Sequence, residues 1–256
     1  MIVRRLRLIT LAAVVSLLLA AVVALAVHGS QRTRSGAVAP AVLAAGEAFR
    51  GARPLPAIPL VDEHGKATSL GAFKGKWVVF APSMTLCHET CPMTTGVLMS
   101  LTRMLRRTGL SSRVVVAEIT VDPWRDTPAR LRAYERMTGA DFTMLTGSVR
   151  NILRLWKKLG ILVERVPLEK PVSIDWYTHK PETLNIVHSD GLFILDPGGS
   201  ERVIVSGMPK LETGQALGSA LRSLLDKEGL HNLNHPEQPF TASQILSDLR
   251  STGALD

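Results

Sequence analysis

The chain has 256 residues, of which 46% are hydrophobic, and a formal net charge of +8. This length and composition suit one globular domain with additional segments. Five arginines lie in residues 1–34, which contain no acidic residue, so the other 222 residues have a net charge of only +3. Nucleic-acid-binding domains cluster Lys and Arg on the fold itself, and we therefore predict no nucleic-acid partner.

The basic end of the chain precedes a long apolar run. Residues 8–27 are interrupted only by Thr10 and Ser16, and twenty helical residues span the hydrocarbon core of a bilayer, which is about 30 Å thick. Arginines before the run predict a cytoplasmic N-terminus, with the rest of the chain on the periplasmic or extracytoplasmic side of a bacterial-type inner membrane. We predict a signal anchor or signal peptide in residues 1–28. The length of the run favours an uncleaved anchor, although "ALA" at residues 24–26 offers a cleavage site.

The remainder divides by composition into three segments. Residues 29–55 are rich in Ala, Gly, Arg, Ser and Pro, which predicts a flexible tether. Residues 56–228 carry the periodic patterns of a folded domain, and residues 229–256 are predicted to be a polar C-terminal tail. In that tail, "HNLNH" has two histidines four residues apart, a spacing that we expect to belong to solvated polypeptide rather than to a metal site.

The domain begins with two short strands around a turn at residues 62–65 and then alternates strands with helices. "KWVVFA" at residues 76–81 is a continuous β-branched and apolar run, typical of a strand buried on both faces. The later elements are predicted at these positions: helices at 92–107, 127–139, 148–160 and 213–227, and strands at 113–121, 142–145, 161–166 and within "TLNIVHS", "GLFILD" and "RVIVSG". This order predicts an α/β fold with a mixed sheet flanked by helices.

Both cysteines of the chain, Cys87 and Cys91, lie between the buried strand and the helix that follows it. Open α/β sheets place ligand and redox chemistry at such turns. A helix start stabilises a thiolate, which is both the nucleophile of disulfide exchange and a soft ligand for Cu(I) or zinc. A purely structural disulfide would close a very short loop and constrain the unfolded chain little. A redox couple and a metal site both remain open.

A third ligand is needed if two thiolates are to form a good metal site. Among the seven histidines, His188 is distinctive because it ends the apolar strand "TLNIVH" and precedes the turn "SDG". A histidine at a strand end can reach the same rim as a strand-to-helix turn. It can equally be a hydrogen-bonded residue of a strand terminus, and its position alone does not decide between the two.

Four motifs, in the same order, resemble the SCO/SenC family of thioredoxin-like copper proteins, which help to assemble the copper centre of cytochrome oxidase. They span about 120 residues: "CHETCP" at 87–92, "VDPWRDTPARLRAY" at 121–134, "LTG" at 145–147 and "VHSDGLFILDPGG" at 187–199. The resemblance implies a thioredoxin-like fold and makes Cys87, Cys91 and His188 the ligands of copper, as Cu(I) or Cu(II).

The resemblance further implies a membrane-tethered metallochaperone that delivers copper to the copper-site subunit of cytochrome c oxidase, with the thiol redox state controlling binding. A thiol reductant or another copper carrier would be a further partner. The alternative is a thiol-disulfide oxidoreductase that reduces partner cysteines, with Cys87 and Cys91 as its catalytic redox pair and His188 dispensable.

Two further features lie near the cysteines or the proposed site. His88 and Glu89 depart from the family pattern, and His88 could add a ligand or tune the thiols, although we expect it to point to solvent. In "DPWRDTP", Arg125 and Asp126 are predicted to pair or to cap the next helix, a mainly structural role.

Overall fold

The protein is described by a computed structural model that covers residues 46–168, 170 and 172–254, with side chains from residue 54 onwards. The predicted anchor at residues 8–27, and the tether as far as residue 45, lie outside the described residues. Within the described part of the chain, no helix has the length and apolar character needed to span a bilayer.

A mixed eight-stranded sheet forms the centre of the domain, in the order β1-β10-β9-β4-β5-β6-β2-β3, and a separate two-stranded sheet pairs β7 with β8. The strands are β1 (Gly46–Pro54), β2 (Leu60–Asp62), β3 (Ala67–Thr68), β4 (Trp77–Ser83), β5 (Val114–Thr120), β6 (Thr143–Thr146), β7 (Val163–Val166), β8 (Asn185–His188), β9 (Leu192–Leu195) and β10 (Ser200–Val205). Strands β4, β5 and β6 are parallel, and β9 joins β4 in antiparallel orientation. The predicted mixed sheet is confirmed.

Helices cover both faces of this sheet. They are α1 (Cys91–Arg107), α2 (Pro128–Thr138), α3 (Val149–Leu159), α4 (Ser219–Arg222), α5 (Lys227–Asn234) and α6 (Ala242–Ser251), and a 3-10 turn occupies Leu70–Phe73. The hydroxyl groups of Thr127 and Ser148 cap α2 and α3 by accepting backbone N–H bonds, as the sequence predicts for Thr127.

Strand β4 shows why the core has two halves. All seven of its residues are buried, and alternate side chains of a strand point to opposite faces. Phe80 packs with Trp156 of α3 on one face, whereas Val79 packs with α1 and α6 on the other. The predicted strand, buried on both faces, is confirmed, and its C-terminal end delivers the chain to the cysteine motif.

Three predictions near the ends of the domain differ from the structure. Residues 46–54 of the predicted tether form β1, an edge strand paired with β10. The single helix predicted at residues 213–227 is instead the short α4 followed by α5, because the Asp226 side chain accepts the Gly229 N–H and starts a new helix. The predicted polar tail contains most of α5 and all of α6.

Helix α6 is part of the core rather than a tail. It begins with a capping box in which Thr241 and Gln244 satisfy each other's backbone N–H groups. Ile245 and Leu249 are both 0% exposed and pack against the β4 and α1 side chains. The sequence has apolar residues four apart, at Ile245 and Leu249, as expected for one buried face of a helix. The polar residues between them led to the prediction of a polar tail instead.

Because Leu249 is fully buried, Leu249→Ala should lower the free energy of unfolding by about 2–5 kcal/mol, the cost of deleting a core leucine. Urea unfolding followed by circular dichroism measures this. The matched control is Ser247→Ala in the same helix, which removes an exposed side chain and should change stability by less than about 0.5 kcal/mol. Equal effects of the two substitutions would show that α6 does not pack on the core.

Candidate metal centre

The two cysteines meet at the start of α1. Cys87 lies in the loop after β4, and Cys91 is the first residue of the helix. The Cys91 N–H donates to the Cys87 sulfur at 3.4 Å. Both cysteines are free and buried: Cys87 is 6% exposed and Cys91 is 1% exposed. The predicted position of the pair at the strand-to-helix turn is confirmed.

The third predicted residue, His188, reaches the same place from a different sheet. It is the last residue of β8, which pairs with β7 rather than with a strand of the main sheet. Its Nε2 lies 3.7 Å from the Cys91 sulfur, across 97 residues of sequence. The ring also lies close enough to the Cys87 thiol to help lower its pKa, behind the larger effects of Cys91 and burial. The structure therefore brings all three predicted site residues into mutual contact.

The backbone fixes which nitrogen of His188 faces the sulfurs. Its Nδ1 lies 3.1 Å from the carbonyl oxygen of Ser189, so Nδ1–H donates to that oxygen. In the neutral ring, Nε2 then keeps its lone pair toward the thiols. An imidazole held in this way is prepared to act as a metal ligand.

The two thiols differ in acidity. The pKa of Cys87 is held well below its usual range, chiefly because the Cys91 thiol donates a hydrogen bond to its sulfur, while burial opposes ionisation. The same contact, together with burial, raises the pKa of Cys91. Cys87 is therefore the first of the pair to become a thiolate, which is the form that binds a metal or attacks a disulfide.

The spacing of sulfur and nitrogen suits a shared metal. A metal about 2.3 Å from a thiolate and about 2.0 Å from an imidazole separates these two ligand atoms by roughly 3.5 Å at a tetrahedral angle. The observed Cys91–His188 distance is 3.7 Å. The described residues do not, however, contain three His, Cys, Asp or Glu side chains already arranged to hold a metal ion.

His88, between the cysteines, does not point to solvent, and that expectation was wrong. Its Nδ1 is 2.8 Å from the Leu224 carbonyl oxygen, and its Nε2 is 2.8 Å from Glu182 Oε1. The hydrogen bond with Glu182 raises the pKa of His88 to about 9 against the effect of burial. At neutral pH the ring is therefore an imidazolium with both nitrogens engaged as donors.

Glu182 also ties the "DPWRDTP" segment to the histidine strand. Arg125 Nη1 donates to the Leu184 carbonyl oxygen at 2.8 Å, just before β8, and lies 3.4 Å from Glu182 Oε2. Its Nε donates to Asp122, so the predicted pairing with Asp126 is wrong.

Asp126 instead holds the loop that leads to the cysteines. Its carboxylate accepts hydrogen bonds from the hydroxyl groups of Thr85 and Thr120, each at 2.6 Å. The segment is structural, as predicted, but through contacts on both sides of the site rather than within its own helix.

A buried acid lies beneath the helix start. Glu118 of β5 accepts a hydrogen bond from Thr95 at 2.8 Å, and the Thr95 hydroxyl also lies 3.0 Å from the Cys91 carbonyl oxygen. Burial raises the pKa of Glu118 to about 7. Glu118 was not predicted as part of the site, although an acid within the apolar run "VVVAEIT" was a signal that could have revealed it.

A cavity of about 450 Å³ opens onto the site. Cys87 and His188 line it together with the carboxylates of Glu89, Asp190 and Asp226. The surroundings of the thiols are thus acidic, although the chain as a whole is basic. Carboxylates lining a concave site attract cations toward it.

Fold and site together define a thioredoxin-like domain with a thiol–imidazole centre. Residues 56–226 match the sequence model of the SCO1/SenC family. The chain belongs to the SCO1/SenC family.

Individual relatives agree with this assignment. A protein of Stutzerimonas stutzeri, named for copper binding, is 30% identical over 179 residues, which cover 69% of this chain and 79% of that protein. ScoI of Bradyrhizobium japonicum, solved with copper bound, has a similar fold: its TM-score is 0.51 at 20% identity, and the match covers 67% of this chain and 97% of ScoI.

A further solved structure is BsSco, a member of the Sco family of cytochrome c oxidase assembly proteins in which a disulfide switch was identified. Its TM-score is 0.50 at 19% identity, and the match covers 80% of this chain and 96% of BsSco. At these identities the two solved structures establish the shared fold.

Because the pKa of Glu118 rises from its ordinary value of 4.5 to about 7 on folding, the native state binds a proton that the unfolded chain has released in this range. The stability contribution of Glu118 is complete below pH 4.5 and is lost as pH rises through 7, by on the order of 3 kcal/mol. Glu118→Gln should remove this dependence.

Urea unfolding of the reduced, metal-free chain between pH 4.5 and 8 measures the effect. Burial also raises the pKa of Asp126, to about 6. Because Asp126 is present in both proteins, the comparison removes most of its effect. The free-energy difference between wild type and Glu118→Gln should shift in favour of the variant as pH rises. Parallel pH profiles would show that Glu118 stays ionised in the native state.

Proposed function

We propose that this protein is a copper chaperone that binds one copper ion through Cys87, Cys91 and His188. The observation that supports this most directly is the 3.7 Å contact between the Cys91 sulfur and His188 Nε2. The name of the Stutzerimonas relative and the copper-bound Bradyrhizobium structure supply independent support for copper as the cargo.

The ligand chemistry favours copper over other metals. Thiolate sulfur is a soft donor that selects Cu(I), and imidazole also suits Cu(II). Structural zinc sites are four-coordinate. The imidazole of His88 has both nitrogens engaged by Leu224 and Glu182, so a fourth ligand would have to be a cavity carboxylate such as Glu89. Capture of copper requires a small movement of the three side chains, because they are in contact but not yet arranged around one point.

The redox state of the cysteines then controls binding. Exchange with the disulfide of an oxidised dithiol partner, which takes up two electrons and two protons from the thiols, forms a bond between the Cys87 and Cys91 sulfurs and removes both thiolate ligands. The cysteines are adjacent and free in the structure, so little rearrangement separates the two states. The disulfide switch described for BsSco is consistent with such control in a relative.

Delivery uses the open side of the site. The cavity next to Cys87 lets thiolates of an acceptor approach the metal and replace its ligands one at a time. We propose the copper-site subunit of cytochrome c oxidase as the acceptor, since BsSco belongs to a family of assembly proteins for that enzyme. A thiol reductant or another copper carrier would load the site, and residues 8–27 would hold the domain on the periplasmic side of an inner membrane.

An anaerobic Cu(I) titration of the full-length chain against a competing chelator tests the function. The reduced protein should bind one Cu(I), and the oxidised protein should bind none. His188→Ala should weaken binding by more than about tenfold, because removing even a residue that only hydrogen-bonds to a metal ligand lowers metal affinity by at least about that factor. The control is His64→Ala, which removes an exposed histidine far from the thiols in sequence.

Two results would contradict the proposal. Near-wild-type affinity of the His188 variant would remove the histidine from the site. Weak binding in either redox state, combined with rapid reduction of a partner disulfide, would favour the thiol-disulfide oxidoreductase.

A second variant tests the position of His88. His88→Leu removes the imidazolium between Glu182 and the Leu224 carbonyl group, but no proposed ligand. The variant should still bind one Cu(I), with an affinity within about tenfold of wild type, because residues that do not bind the metal directly can change its affinity by about that factor. It should also unfold at a lower urea concentration. A loss of affinity as large as that of His188→Ala would instead make His88 a ligand.

A further inference from the structure

The "HNLNH" motif, expected to be solvated polypeptide, is helical in the structure. His231 lies in the last turn of α5, and His235 is the residue that ends the helix. The His235 N–H donates to the His231 carbonyl oxygen at 2.9 Å, so the helical backbone continues to the second histidine. Both side chains are exposed and lie on the same face.

The two rings are already at a spacing that a metal could bridge. Their centroids are 5.0 Å apart, with an angle of 37° between the planes. A metal about 2.0 Å from an imidazole nitrogen lies roughly 3.2 Å from the ring centroid, so two ligands at angles between tetrahedral and right-angled have centroids about 4.5–5.2 Å apart. The observed separation falls within this range.

A carboxylate completes the same face. Glu228 precedes His231 by three residues and His235 by seven, which places it one turn earlier on the same side of α5. It is exposed, and because the three side chains are not already arranged around one point, binding a metal through all three requires a change of rotamer. Two imidazoles and a carboxylate make a nitrogen–oxygen donor set, which suits divalent transition metals rather than Cu(I).

Helix α5 is held firmly, so these side chains project from a rigid support. The Asp226 N–H, at the start of the helix, donates to the His88 carbonyl oxygen at 3.0 Å. A Cβ atom at Gly229 would lie 2.2 Å from that same oxygen, so the helix and the cysteine loop approach as closely as glycine permits. A rigid support lowers the entropic cost of binding.

We propose that His231 and His235, with Glu228, form a second metal site for a divalent transition metal. Among the divalent first-row metals, Cu(II) should bind most tightly. The proposal does not rest on the copper chaperone function, since it uses none of the thiol–imidazole ligands. It gives the chain a site for oxidised copper on the helix that packs directly against the cysteine loop.

Titration of Cu(II) into the full-length chain carrying Cys87→Ser and Cys91→Ser tests the site without thiols that would reduce the metal. Electron paramagnetic resonance should show one copper with coupling to two imidazole nitrogens. His231→Ala and His235→Ala should each weaken binding by at least about tenfold, and Glu228→Gln should weaken it less. His64→Ala, which also removes an exposed histidine, should have no effect.

The same comparison on the disulfide-oxidised chain keeps the native cysteines and remains informative if the serine variants fold poorly. Unchanged affinity in both histidine variants, or a copper signal without nitrogen coupling from two imidazoles, would overturn the proposal. Neither result bears on the Cu(I) titration of the reduced thiols, so failure of this site and failure of the chaperone function are distinguishable.

Discussion

The contact of His188 with the two cysteines depends on how the small β7–β8 sheet is held against the start of α1. Strands β7 and β8 pair only with each other and not with the main sheet, and an isolated two-stranded sheet is marginally stable. The charges around Glu182 supply the missing attachment: it accepts from His88 on the cysteine loop and lies 3.4 Å from Arg125, which also binds the carbonyl group before β8. Buried charges cost several kcal/mol when they are unpaired, so each partner holds the others in place.

The electrostatics of the site balance two requirements. The pKa of Cys91 is raised chiefly by its hydrogen bond to Cys87 and by burial, and the negative charges of Cys87 and of Asp190, which lines the cavity beside the thiols, add to this. A bound cation reverses this effect, because its charge favours both thiolates and is itself attracted by the carboxylates. The site is therefore poor at holding two free thiolates and well suited to holding them around a metal.

Patterns that are local in sequence predicted much of this arrangement. The buried strand β4, the helix starting at the second cysteine and the Thr127 cap all follow from neighbouring residues. His188 could be placed at a strand end, although only the family motifs selected it as a ligand. Interactions between distant residues could not be predicted: Glu182 lies 94 residues from His88, and nothing near it in sequence marks it as a partner. Helix α6 was missed because its buried stripe is narrow and its other positions are polar.

The ligand set is the central claim, and X-ray absorption at the copper edge tests it most directly. The reduced full-length chain loaded with one Cu(I) should show two sulfur neighbours and one nitrogen neighbour. The nitrogen contribution should disappear in His188→Ala, and one sulfur contribution should disappear in Cys87→Ser or Cys91→Ser. A spectrum with only nitrogen and oxygen neighbours, or one that none of these substitutions changes, would contradict a copper centre formed by Cys87, Cys91 and His188.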